Sequence, residues 1–175
     1  MNTGQMLITI GAIFLLSTVI LTVNRGFLST NTTMMDNRYG IMAVSLATST
    51  MEAATHKAFD EKSDTLGLTS TNELTQANSL GLDAGESYDN PESFDDFDDF
   101  DCYKDSVKVD KIPLEGTNQE ITFNTRCWVN YVEDGNPEIV STNRTWHKRI
   151  IVWVYSPELG DTIKMRTVYS YFYFK

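Results

Sequence analysis

Between Met6 and Val23 the chain reads MLITIGAIFLLSTVILTV, eighteen residues without a charge. As a helix this run is about 27 Å long at ~1.5 Å per residue, close to the ~30 Å of bilayer hydrocarbon. It fits a cleavable secretory signal poorly. No Lys or Arg precedes it, it is long for a signal's apolar region, and Asn24-Arg25-Gly26-Phe27-Leu28 has no small-x-small cleavage pattern. The segment is therefore expected to stay with the protein, as a membrane anchor or as the buried spine of an assembly.

The remainder of the chain is sized for one modest core, since about 150 residues do not support two. The formal charge of −10 and pI near 4.5 argue against nucleic acid as a partner, because phosphate binding needs basic stripes. The charge is unevenly placed. Asp83 to Asp105 holds ten carboxylates with Lys104 as its one basic residue, whereas Val140 to Lys175 carries six Lys or Arg against Glu158 and Asp161. Two such regions can attract each other within one molecule or between neighbours.

The four prolines, Pro91, Pro113, Pro137 and Pro157, all fall late, so nothing in the first ninety residues need stop a helix. Met35, Tyr39, Met42, Leu46 and Ala53 recur at helical steps. One nearly continuous helix is expected from about residue 3 to residue 58, with a local bend near Asn24-Arg25-Gly26. Residues 59–106 read as a long acidic connection with at most a short helix around Asn72–Ala77. Thereafter the period becomes two. Ile121, Phe123, Cys127, Val129 and Tyr131 mark one face of a strand, and Arg149–Tyr155 is apolar on both sides, as in a central strand. Ile163, Met165, Tyr169, Tyr171 and Tyr173 mark the last strand, joined to its predecessor by a hairpin turn over Ser156–Asp161. The expected fold is α+β: a long N-terminal helix, apolar in its first half, packed by its second half on an antiparallel C-terminal sheet of about four strands. Residues 1–28 would form the apolar half-helix, and 29–175 a head built of helix 29–58, acidic loop 59–106 and sheet 107–175.

This layout resembles the type IV pilin and pseudopilin family across the whole chain. Gly4 resembles the glycine before the prepilin peptidase cut, which would leave Gln5 first. FDDFDDFDCY (Phe94–Tyr103) is similar to the acidic loop of minor pilins of the mannose-sensitive haemagglutinin type, and KRIIVWVYSPELGDTIKMRTVYS to their closing hairpin. Met1-Asn2-Thr3 lacks the family's basic leader residue, and the family's glutamate position falls on Thr9, or on Gln5 if counted from Met1. The resemblance implies a non-enzymatic filament subunit, inserted in the inner membrane before assembly and then part of a cell-envelope or extracellular fibre. It would assemble with copies of itself or other pilin-like subunits through a core that includes Met6, Ile10, Phe14, Ser17 and Leu21. The alternative is a monomeric anchored envelope protein whose acidic head binds a partner or Ca²⁺.

Asp95, Asp96, Asp98, Asp99 and Asp101 form the one candidate ligand site. Closely spaced carboxylates are what hard Ca²⁺ takes, although the run lacks the glycine and bidentate glutamate of an EF-hand. The plainer alternative is a solvated loop with Phe94, Phe97 and Phe100 docked in the core. No other cofactor is indicated. Cys102 and Cys127 suit one disulfide in an oxidising compartment, worth about 3.5 kcal/mol at most, against two free buried thiols. Neither His56 nor His147 has an evident nucleophile beside it, and no catalytic residue is assigned. Trp128, Trp146, Trp153 and the Tyr171–Phe174 aromatics are expected mostly in the core. Asn31-Thr32-Thr33 and Asn143-Arg144-Thr145 match the N-glycosylation pattern, which is common by chance.

Overall fold

The computed structural model describes residues 3–65, 67–110 and 120–174; Met1, Asn2, Leu66, residues 111–119 with Pro113, and Lys175 lie outside them, as do the side chains of Asp64, Thr65, Asp110, Tyr173 and Phe174. The described chain is α+β. Helix α1 spans Thr3–Thr55 and the short α2 Glu61–Thr65; strands lie at Lys104–Asp110 (β1), Glu120–Glu133 (β2), Asn136–Val140 (β3), His147–Tyr155 (β4) and Ile163–Ser170 (β5). The chain divides into two compact units, Met1–Tyr39 and Gly40–Lys175.

In the first unit α1 passes through Asn24, Arg25 and Gly26 without a break in its helical hydrogen bonding. The cost of a helical glycine, about 1 kcal/mol, is spread here over a long helix and does not stop it. Hydroxyls in this stretch bond back onto their own helix: Ser17 Oγ donates to Ile13 O (2.8 Å), Thr18 Oγ1 to Leu15 O (2.8 Å) and Thr22 Oγ1 to Thr18 O (2.8 Å). The apolar side chains face outward, with Leu7 and Phe14 each 71% exposed. By length and composition this helix can cross a membrane.

In the second unit α1 buries Ala43, Ala47 and Ala54 completely. The expected apolar stripe is offset by one residue, because Met42 and Leu46 are half-buried and Ala53 is exposed. Small side chains take the centre of the buried face, where the backbone can come closest to its neighbours, and the larger ones flank it.

The sheet is antiparallel with order β1-β2-β4-β5, and β3 pairs with the far end of β2. Strand β2 alternates as predicted: Ile121, Phe123, Cys127, Val129 and Tyr131 are buried, and their neighbours Thr122, Asn124, Arg126, Trp128 and Asn130 are not. Strand β4 is central, paired with β2 and β5, but only one of its faces is fully covered. Lys148, Ile150, Val152 and Val154 are shut off from solvent, whereas Trp153 on the other face is exposed and packs on half-buried Trp128 with ring centroids 4.8 Å apart. These two tryptophans therefore lie outside the core in which they were expected. Strand β5 ends at Ser170, and Tyr171 turns away in a 3₁₀ turn to bury itself against Phe59 and Trp146. Phe172 is 55% exposed.

Two strands were missed by the periodicity. β1 is an edge strand of sequence KDSVKVD that straddles the expected loop–sheet boundary at residue 106 and alternates only over Val107-Lys108-Val109, and β3 is exposed at every residue.

Candidate functional site

Phe94, Phe97 and Phe100 fix the path of the acidic segment. They are 1%, 0% and 4% exposed. Phe94 lies 5.0 Å from the Phe100 ring and 5.4 Å from Tyr103, and Phe97 lies 5.1 Å from Tyr169. The backbone is tied to the end of α1 as well: Ala58 N donates to Asp95 O (3.1 Å) and Phe97 N to Ala58 O (2.9 Å). Docking a phenyl at every third position carries the aspartates between them inward. Asp96, Asp98 and Asp99 are each 1% exposed. The segment is thus not a solvated loop, and each buried carboxylate needs compensation.

Asp98 obtains it from Lys148. This lysine, on β4, is 0% exposed, and its ammonium donates to Phe59 O (2.7 Å), Asp60 Oδ2 (3.0 Å) and Asp98 Oδ1. All three of its hydrogens are committed. Asp60 Oδ2 also accepts from Thr75 N at 2.9 Å and the Tyr131 hydroxyl at 3.4 Å. Burial raises the Asp98 pKa and Lys148 pulls it back, leaving it at about 6.

Asp96 and Asp99 are compensated by backbone, and on one oxygen each. Asp96 Oδ1 accepts from Asp98 N (2.7 Å) and Asp99 N (3.2 Å), and Asp99 Oδ2 accepts from Asp95 N (3.0 Å) and Asp96 N (2.9 Å). Their other oxygens, Asp96 Oδ2 and Asp99 Oδ1, are buried with no hydrogen-bond partner, and so is Glu86 Oε1. Glu86 arrives from a turn in which its Oε2 accepts from Asp83 N at 2.9 Å and Gly85 takes φ +111°. Burial, with neighbouring carboxylates adding to it, pushes both Asp96 and Asp99 up to about 8.

Of the five aspartates expected as ligands, two are otherwise engaged. Asp98 holds Lys148, and Asp101 Oδ1 accepts from Val129 N at 2.8 Å. The other three gather with acids from further up the chain. Glu86, Asp95 and Asp99 form one group, and Glu61, Asp83 and Asp96 another; within each, one carboxylate oxygen per residue lies within 4.8 Å of the others. Nothing in their spacing marks Glu61, Asp83 and Glu86 as neighbours of this run, because the juxtaposition depends on the Gly85 turn and the Ala58 tie.

Cys102 and Cys127, expected as a disulfide, are both free thiols in the structure. Cys127 N donates to Tyr103 O at 2.9 Å, so the two segments are adjacent. However, Cys102 sits in a left-handed turn (φ 61°) and is exposed, with its thiol donating to Asp101 Oδ2 at 3.6 Å, whereas Cys127 faces the core. The basic residues are likewise largely engaged within the chain. Lys148 is buried, Arg149 donates to the carbonyls of Pro137 (2.8 Å) and Glu138 (3.1 Å), and Arg166 pairs with the Glu138 carboxylate. His56 Nδ1 lies 2.6 Å from Glu52 O, and His147 Nε2 lies 3.7 Å from Asp134 Oδ1.

Gly4, Gln5, Met6, Ile10, Phe14, Ser17 and Leu21 all lie on α1 in the first unit and are exposed. Comparisons of the chain with family models, curated proteins and solved structures give no match.

Proposed function

We propose that this protein is a structural, non-catalytic subunit of a type IV pilus-like filament, held in a membrane by α1 before assembly and displayed at the cell envelope or beyond it afterwards. The observation that carries this proposal is the bare apolar surface of α1. Ile10, Phe14 and Leu21 are 59%, 71% and 57% exposed, far more contiguous apolar area than a protein leaves facing water. A bilayer covers that surface before assembly, and the same helices of neighbouring subunits cover it in a fibre. The resemblance in layout to pilins, from apolar half-helix through acidic segment to antiparallel sheet, supports the second arrangement.

One feature favours an anchored monomer instead. Thr9 and Gln5, the positions where a pilin's glutamate would fall, are neutral, and Thr9 Oγ1 already donates to Gln5 O at 2.8 Å. Electron microscopy of material sheared from cells making the protein separates the two. Fibres labelled by an antibody to the chain, and lost when Ile10 and Phe14 are both changed to Asp, are the expected result. Chain found solely in membrane fractions, with no fibres, overturns the filament and leaves the anchor.

A further inference from the structure

We propose that Glu86, Asp95 and Asp99 form a Ca²⁺-binding site on the second unit. The proposal does not depend on filament assembly.

Three observations combine. The first is ligand type and spacing. Oxygens about 2.4 Å from a shared Ca²⁺ lie at most about 4.8 Å apart, and each of these residues offers a carboxylate oxygen within 4.8 Å of the other two. Mg²⁺, which needs oxygens at about 2.0–2.1 Å in near-ideal octahedral geometry, suits a set drawn from separate turns less well.

The second is orphaned oxygen. Asp99 is 1% exposed; its Oδ2 accepts two backbone N–H groups, whereas no N–H group reaches its Oδ1 and the side chain meets the Glu86 carboxyl instead. Glu86 repeats the pattern, with Oε2 bonded to Asp83 N and Oε1 buried without a partner. In both side chains the backbone grips one oxygen and fixes the direction of the other. Leaving such atoms unpaired inside a protein is costly, and two of them converge here.

The third is that the buried lysine of this region, among the described residues, is committed elsewhere. Lys148, the buried lysine of this region, has all three donors on Phe59 O, Asp60 and Asp98. A bound divalent ion supplies the missing positive charge, Asp95 completes the set from the exposed side, and water fills the remaining coordination positions. Asp96, with its own orphaned Oδ2, heads the neighbouring group with Glu61 and Asp83. It has one buried unpartnered oxygen where the proposed site has two.

The test is calorimetric titration of CaCl₂ into the full chain in a non-ionic detergent after treatment with a chelator. Saturable binding is expected in the range of extracellular calcium modules, Kd about 10⁻⁴–10⁻³ M or tighter. Glu86→Gln with Asp99→Asn keeps acceptors for the backbone donors while removing two charges, and should weaken binding at least tenfold. Glu92→Gln, an exposed acid outside the group, should leave it unchanged. Absence of saturable uptake by the unsubstituted chain at about 10 mM Ca²⁺ overturns the proposal. So does unchanged affinity in a double variant whose circular dichroism matches the parent. If the double variant does not fold, Glu86→Gln is titrated alone, and unchanged affinity there overturns the proposal equally.

Discussion

Lys148 and Asp98 meet in the interior of the protein, a lysine from the central strand paired with an aspartate from the most acidic stretch of the chain, and solvent reaches neither side chain appreciably. A buried pair of this kind adds little net stability over an apolar replacement of both partners, but removing one partner strands the other. Lys148→Met would leave Asp60 and Asp98 buried without their ammonium. A loss of about 3–5 kcal/mol is expected in urea unfolding. Arg166→Met breaks an ion pair to Glu138 whose side chains are 53% and 56% exposed, and should cost about 1 kcal/mol or less. Equal losses for the two variants would show that Lys148 is not anchoring the acidic segment.

The phenyl rings can be tested separately from the charges. Phe97 is fully buried against Tyr169, so Phe97→Ala should cost about 3–5 kcal/mol through lost transfer energy and the cavity left behind. Ile139→Ala on the exposed strand β3 should fall within about 0.5 kcal/mol of the parent. A Phe97→Ala protein unfolding at the parent's urea midpoint would mean that the aspartates are held inward by something other than the rings.

Much of this arrangement is legible in the residues before any coordinates. A strand that alternates from Ile121 to Tyr131, and Phe94, Phe97 and Phe100 at every third position, each carry a local pattern with one economical burial solution, and the eighteen-residue uncharged run carries the pattern of a long apolar helix. Lys148 carries none. It sits beside Arg149 at the head of an apolar strand, and its burial depends on acids from residues 60 and 98, which only the tertiary fold brings to it. The same holds for Glu86 beside Asp99. Of the two arrangements open to the acidic and basic regions, pairing within one molecule is realised at Lys148 and Asp98. Strand β1 stayed hidden because its alternation is confined to Val107-Lys108-Val109, β3 because it buries no residue, and the alanine face of α1 because a periodicity count weights large side chains over small ones.

The thiols should differ in reactivity. Cys102 is exposed, whereas Cys127 is 1% exposed and burial pushes its pKa up to about 12. Iodoacetamide at pH 8 should label Cys102 in the folded chain and both cysteines in denaturant, as read by peptide mass mapping. Recovery of neither label without prior reduction would instead reveal a disulfide.

Alkaline pH should destabilise the protein in a defined window. Cys127 rises from an ordinary value of 9.0 to about 12, and Tyr103 from 10.0 to about 12, burial being the main cause in both. The folded state therefore keeps protons that the unfolded chain gives up. The associated stability is present in full below pH 9 and is lost as the pH rises toward 12. The Cys127 share is on the order of 4 kcal/mol at about 1.4 kcal/mol per pKa unit. Unfolding free energy measured by urea at pH 8, 9.5 and 11 should fall steadily, and less steeply in Cys127→Val. A flat profile for the parent chain would contradict the burial of these two groups.

The helical hydroxyls of Ser17, Thr18 and Thr22 have a consequence for motion. Each donates its hydrogen to a carbonyl of its own helix, which leaves no hydroxyl hydrogen pointing outward to dictate a partner's position. Whatever surrounds this stretch, lipid tails or sister helices, meets it through dispersion contacts, which vary smoothly with sliding and rotation. Such a surface is a bearing rather than a latch: no hydroxyl hydrogen bond would have to be torn for whatever lies against it to move along it.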